Sequence, residues 1–161
     1  MDRPPRFLPT RPLPDARYVP GRTPRPEEDS RPPARPRTVD GPFHPDYLYA
    51  CDLYNAGYFW EAHEEWEEQW RRCPPRSSAR LVLQGLIQAA AAWLKEEMGD
   101  PRNAARLQSL AAEKLTRASP DGPRILGLDI EAFAVAVASR PIGVRAAHPT
   151  LTLSDRFFDR A

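Results

Sequence analysis

The sequence predicts an all-α fold: a small bundle of about five helices behind a disordered N-terminal arm. Apolar residues recur at helical spacing from Tyr47 to Val137, and proline or glycine breaks that periodicity at intervals suited to ordinary helices. Most of the 20 prolines, about two and a half times the usual share, precede Phe43. At 161 residues the chain is long enough for one domain with its own core.

Three segments follow from this composition. Residues 1–42 are proline and arginine separated by small polar groups, with almost nothing to bury against the entropy of ordering. They are expected to be a disordered, solvated arm that favours polyproline II. A dockable arm would carry its arginines to a partner or an anionic surface, although Glu27, Glu28 and Asp29 interrupt the basic run. Residues 43–140 are expected to form the helical domain. Residues 141–161 read as an irregular tail, with Leu151, Leu153, Phe157 and Phe158 available to pack on the bundle.

Within the domain, the first helix carries Tyr47, Leu48, Cys51 and Tyr54 and stops at Asn55-Ala56-Gly57. The second runs from about Tyr58 to Arg72 and ends at Cys73-Pro74-Pro75, because proline cannot continue a helix. The third starts near Ser77-Ser78 and runs to Met98, before the stop signal Gly99-Asp100-Pro101. Apolar residues surround almost its whole circumference, so it is expected at the centre, with Gly85 permitting a close neighbour. A fourth helix covers about Asn103 to Arg117. After a Pro/Gly-rich connection, Asp129 caps a fifth helix that ends at Ser139.

The second helix concentrates the chemistry. On a helical wheel Phe59, Trp60, His63, Trp66, Glu67 and Trp70 share one arc, expected to be buried, while Glu61, Glu65, Glu68 and Arg72 read as a solvated face. A carboxylate among aromatics needs a partner, and His63 lies one turn from Glu67. The pair suits a structural hydrogen-bond network, a metal-free acid/base site, or two ligands for zinc, manganese or iron. Gln84 and Gln88 on the third helix are poor transition-metal ligands but good partners for a buried imidazole or carboxylate, and Tyr54, Glu64, Asp52 and His44 could also contribute.

The run from Tyr54 to Trp70, followed by Leu83-Gln84-Gly85-Leu86-Ile87-Gln88-Ala89-Ala90-Ala91, resembles the prokaryotic domain-of-unknown-function family 309. The resemblance covers roughly residues 43–139. It implies a compact helical bundle with an HxxxExx(W/Y) motif, matched here by His63, Glu67 and Trp70, and metal binding has been suggested from that motif. Family members often carry a histidine late in the third helix, where this sequence has Leu94-Lys95.

Bulk properties narrow the function. A net charge of +1 gives no global attraction to a polyanion and argues against nucleic acid. Cys51 and Cys73 fit neither a disulfide framework nor a paired metal motif. No apolar run has signal-peptide or membrane-span length, so the protein is expected in the cytoplasm. The expected role is a non-catalytic interaction module with a structural buried His63/Glu67 pair, in which Trp60, Trp66, Trp70, Tyr54, Glu64, Gln84 and Gln88 line a pocket for a protein or small-molecule partner. The alternative is a metal-dependent enzyme, such as a hydrolase, with His63 and Glu67 as ligands. Asn55-x-Gly57-x-Phe59-x-Glu61-Ala62 also reads like one tetratricopeptide unit, but no second unit follows at that period.

Overall fold

Proline, glycine and short polar caps set the helix ends in the structure, a computed structural model that describes residues 4–27, 44–144 and 146–154. Helix α1 (Pro45–Asn55) begins with a proline, whose missing N–H is no loss at a helix start, and His44 Nδ1 accepts from the Asp46 amide at 3.2 Å. Gly57 follows its end with φ at +86°, a conformation that L side chains avoid. Helix α2 (Phe59–Arg72) stops before Pro74. Ser77 caps α3 (Ser78–Glu97), Asp100 caps α4 (Pro101–Ala118), and Asp129 caps α5 (Ile130–Ser139), each through a side-chain oxygen that accepts a first-turn amide.

Between α4 and α5 the periodicity gave no element, yet the chain forms one 3₁₀ turn (Ser119–Asp121) and a small antiparallel hairpin. Its strands, β1 (Arg124–Ile125) and β2 (Leu128–Asp129), pair Arg124 with Asp129 and Ile125 with Leu128. Leu126 and Gly127 both adopt positive φ, 53° and 76°, as the tight turns that match strand twist require. Leucine is not a usual residue there. Burial against the core and a hydrogen bond at 2.8 Å from the Tyr47 hydroxyl to the Leu126 carbonyl hold it in place.

Each helix packs on the next in chain order. The closest approach is α3 to α4, where a Cβ on Gly85 would sit 2.8 Å from Leu115 Cγ and 3.3 Å from the Ala111 carbonyl oxygen. Leu53, Tyr54, Trp66, Leu86, Trp93 and Leu115 are fully buried between the helices. Helix α3 is central, as expected, but α1 is the more enclosed: every residue from Tyr47 to Tyr54 is buried, Asp52 included. It meets α2, the hairpin, residues of the 6–12 segment and Leu151.

The C-terminal segment packs back as its leucines suggested. Asn55 grips Leu151 in two directions, its amide donating to the carbonyl at 3.0 Å and its oxygen accepting the N–H at 2.8 Å. Leu153 bridges to Leu128, and the Ser154 amide donates to Gly127. Phe157 and Phe158 lie outside the described residues, as do residues 1–3 and 28–43.

Residues 4–27 differ from the expectation of a segment with nothing to bury. They run along the bundle, with Val19 buried and Phe7, Leu8 and Leu13 packed against the core. Composition could not show this, because the bundle supplies specific acceptors and donors that offset the ordering entropy. No helix among the described residues is long and apolar enough to cross a membrane.

The Gly85 contact gives a direct test. Gly85→Ala should raise helix propensity yet destabilise the protein by about 1–3 kcal/mol through overpacking, as read by urea denaturation. A stabilised variant would mean that α3 and α4 can part freely.

Candidate functional site

The buried stripe of α2 is Phe59, Ala62 and Trp66, so the face lies rotated from the arc centred on His63 and Glu67. Hydrophobicity gives weight to aromatics and little to alanine, yet Ala62 is fully buried. Trp66 meets Tyr54 in the core, ring centroids 5.7 Å apart, and the Tyr54 hydroxyl accepts from Trp93 Nε1 at 3.0 Å. These two residues are therefore packing elements rather than pocket walls. Trp60 is half-buried under Tyr18, edge to face at 4.9 Å. Trp70 is half-buried beneath the Arg80 guanidinium, 3.9 Å from its ring centroid, while Arg80 donates to the Trp70 and Cys73 carbonyls and so stitches α3 to the end of α2.

His63 and Glu67 are half-buried, not buried, with side chains 29% and 32% exposed. His63 Nδ1 lies 3.5 Å from Glu64 Oε1 and 4.0 Å from Glu67 Oε2. It is covered from solvent but makes no hydrogen bond. Glu67 accepts from Arg71 at 3.1 Å, one turn further on. One donor atom from each of His63, Glu64 and Glu67 fits within 4.8 Å of the others, the spacing a shared cation needs. Gln84 and Gln88 are half-buried on α3, and Gln88 Oε1 is covered without a hydrogen bond.

The comparisons with known proteins bear on this stretch. Residues 47–107 match DUF309, a domain of unknown function. No curated protein and no solved structure matches the chain. The DUF309 match spans α1 to the first part of α4 and so contains the His63, Glu64 and Glu67 cluster. The arm and the C-terminal segment that cover its outer faces lie outside the match.

On the other side of α2 the residues expected in solvent hold the arm. The Tyr18 amide donates to Glu61 at 2.7 Å, and burial raises the Glu61 carboxyl above its ordinary pKa. Arg11 reaches Asp46 at 3.1 Å and Glu65 at 3.5 Å while lying 3.7 Å over the Tyr49 ring. The Tyr49 and Tyr58 hydroxyls donate to the carbonyls of Pro12 and Pro14 at 3.0 and 2.9 Å. Asp52 anchors the start: it accepts the Phe7 and Leu8 amides at 2.7 and 2.9 Å and faces Arg6 Nε at 3.4 Å. A lone acid in the apolar run from Tyr47 to Tyr54 was the sequence signal for this anchor. His148, unremarked in the sequence, packs edge-on against Tyr54 and Phe59, both at 5.0 Å, and burial lowers its pKa.

Two predictions follow from these placements. Asp52→Asn keeps the shape but loses the charge that the Phe7 and Leu8 amides and Arg6 satisfy, so it should cost about 2–3 kcal/mol in urea denaturation. A loss below about 0.5 kcal/mol would remove Asp52 as the anchor. For His148, the unfolded chain takes a proton near the ordinary value of 6.5 and the folded chain only at lower pH. Stability should therefore fall as pH drops below that value, until the folded form also protonates. His148→Phe should flatten this part of the pH–stability curve, and an unchanged curve would assign the dependence elsewhere.

Proposed function

We propose that this protein is a non-catalytic, cytoplasmic interaction module whose binding face is the groove between α1 and α2. The observation that supports this most is the seating of residues 4–19. Tyrosine hydroxyls donate to proline carbonyls, carboxylates take arginines and main-chain amides, and aromatic rings flank the segment. This is how a surface recognises an extended, proline-rich chain: the main chain supplies hydrogen bonds and the spaced side chains supply selectivity. The face pairs with this segment through recognition contacts more than through apolar burial, since of residues 4–19 only Val19 is buried.

The His63, Glu64 and Glu67 cluster favours a second reading, a divalent-cation site, because His63 Nδ1 is covered without a hydrogen bond and two carboxylates converge on it. One imidazole and two carboxylates suit zinc, manganese or iron. The remaining coordination positions would fall to water or substrate, as hydrolytic chemistry would need. As an ion pair alone, the half-exposed trio contributes less than about 1 kcal/mol.

Amide hydrogen exchange on the full chain tests the first reading. The Phe7, Leu8 and Tyr18 amides should exchange well below random-chain rates, and Asp52→Asn should speed the first two without affecting α3. Random-chain rates in the wild type would remove the groove as a binding face. The second reading is checked by adding zinc, manganese or ferrous iron to chelator-treated protein while following Tm. A non-catalytic module keeps its Tm, as do His63→Ala and Glu67→Gln relative to their own metal-free forms. A stoichiometric rise in the wild type that both variants lose would establish the cation site instead.

A further inference from the structure

We infer that the arm is a built-in competitor, and that the α1/α2 groove takes, in its place, a partner protein's extended proline-rich segment with arginines spaced as Arg6, Arg11 and Arg17. This rests on the interaction-module reading and names its partner chemistry and its regulation.

Charge is the first argument. Asp46, Asp52, Glu61, Glu65 and Glu97 all face the segment, and each arginine has its own carboxylate: Arg6 at Asp52, Arg11 between Asp46 and Glu65, and Arg17 at Glu97 at 2.9 Å. Arg17 also donates to the Gly57 carbonyl at 2.8 Å, so the third arginine is placed by a main-chain acceptor as well as by charge. The two prolines that accept tyrosine hydroxyls lie between the second and third arginines, which sets a register as well as a composition.

Second, beyond the Asp52 anchor, two of the arm's three arginines are held peripherally although their register is specific. The Arg17 side chain is 42% exposed and Arg6 28% exposed, and ion pairs of this kind contribute little free energy. On the receptor side Asp46, Glu65 and Glu97 are part-exposed as well, at 18%, 29% and 30%, while Asp52 is 1% exposed with the arm seated on it. The receptor residues of α1 and α2 stand on helices that pack on each other, with α2 packed in turn on α3, which fixes their spacing.

The third argument selects the source. A tethered segment competes at an effective concentration on the order of millimolar. The arm of a second copy offers the same contacts without that tether, so it gains nothing by exchange. A partner segment that repeats the arginine and proline register and adds contacts of its own does gain.

The test uses the full chain and a fluorescent peptide of residues 4–19 as probe, followed by anisotropy. Wild-type protein should bind it weakly, because its own arm fills the groove. Arg6→Ala combined with Arg11→Ala in the chain should loosen the arm and tighten probe binding at least tenfold. Adding Asp52→Asn should remove that gain, and a probe with all three arginines changed to alanine should not bind. Unlabelled peptide at millimolar concentration should also speed amide exchange at Phe7 and Leu8 of the wild-type chain, a readout that needs no variant. If those amides are protected in the wild type yet neither readout responds, the groove holds its arm but accepts nothing in its place, and the competitor proposal fails while the binding face stands. If they are unprotected from the start, the binding face itself fails. A concentration-dependent dimer of the arginine variant with no probe binding would overturn the proposal in favour of arm exchange between copies.

Discussion

A carboxylate inside an otherwise apolar helix must be met by donors, and Asp52 is where this structure answers that demand. Around it α1 is closed in: α2 packs on one flank, Tyr47 carries the hairpin, Asn55 holds Leu151, and Phe7 and Leu8 come down onto the carboxylate. Without donors, Asp52 would carry an unpaired charge in a 3%-exposed position. The burial of α1 and the docking of the arm are thus one constraint seen from two sides, since each supplies what makes the other tolerable.

Much of the fold was legible because it is written in local signals. Gly57, Pro74-Pro75, Gly99-Asp100-Pro101 and Asp129 each end or start a helix through local backbone conformation or a side-chain cap. What the sequence concealed depends on contacts made across long separations. The hairpin at Arg124–Asp129 has strands of two residues, too short for alternation, and its turn uses Leu126, whose conformation is enforced by the core and by Tyr47, 79 residues away. The arm was illegible because hydropathy registers apolar area, and its docking depends on carbonyls, amides and guanidinium groups.

The candidate site shows the same division. Spacing alone placed His63 and Glu67 one turn apart and left Glu64 as one of several possible contributors; in the structure one donor atom of each of the three lies within 4.8 Å of the others. Which side of α2 is buried was not a property of α2. It was decided by whether α1, α3 or the arm lies over a given position, and Ala62, silent in any wheel weighted by hydrophobicity, turned out to mark the centre of the buried stripe. The aromatic residues then divide by neighbour: Trp66 into the core, Trp60 under Tyr18, Trp70 under Arg80.

The notch at Gly85 has a mechanical meaning. With Leu115 seated where a side chain would be, α3 and α4 engage like a pin in a keyway, and sliding one past the other means lifting Leu115 over the flanking side chains. Gln108 fastens α5 to this pair through the carbonyls of Val137 and Arg140. The opposite half is joined differently, by polar contacts between the arm and α1 and α2. One side of the molecule is thus joined by interlocked side chains and the other by a series of separate polar contacts.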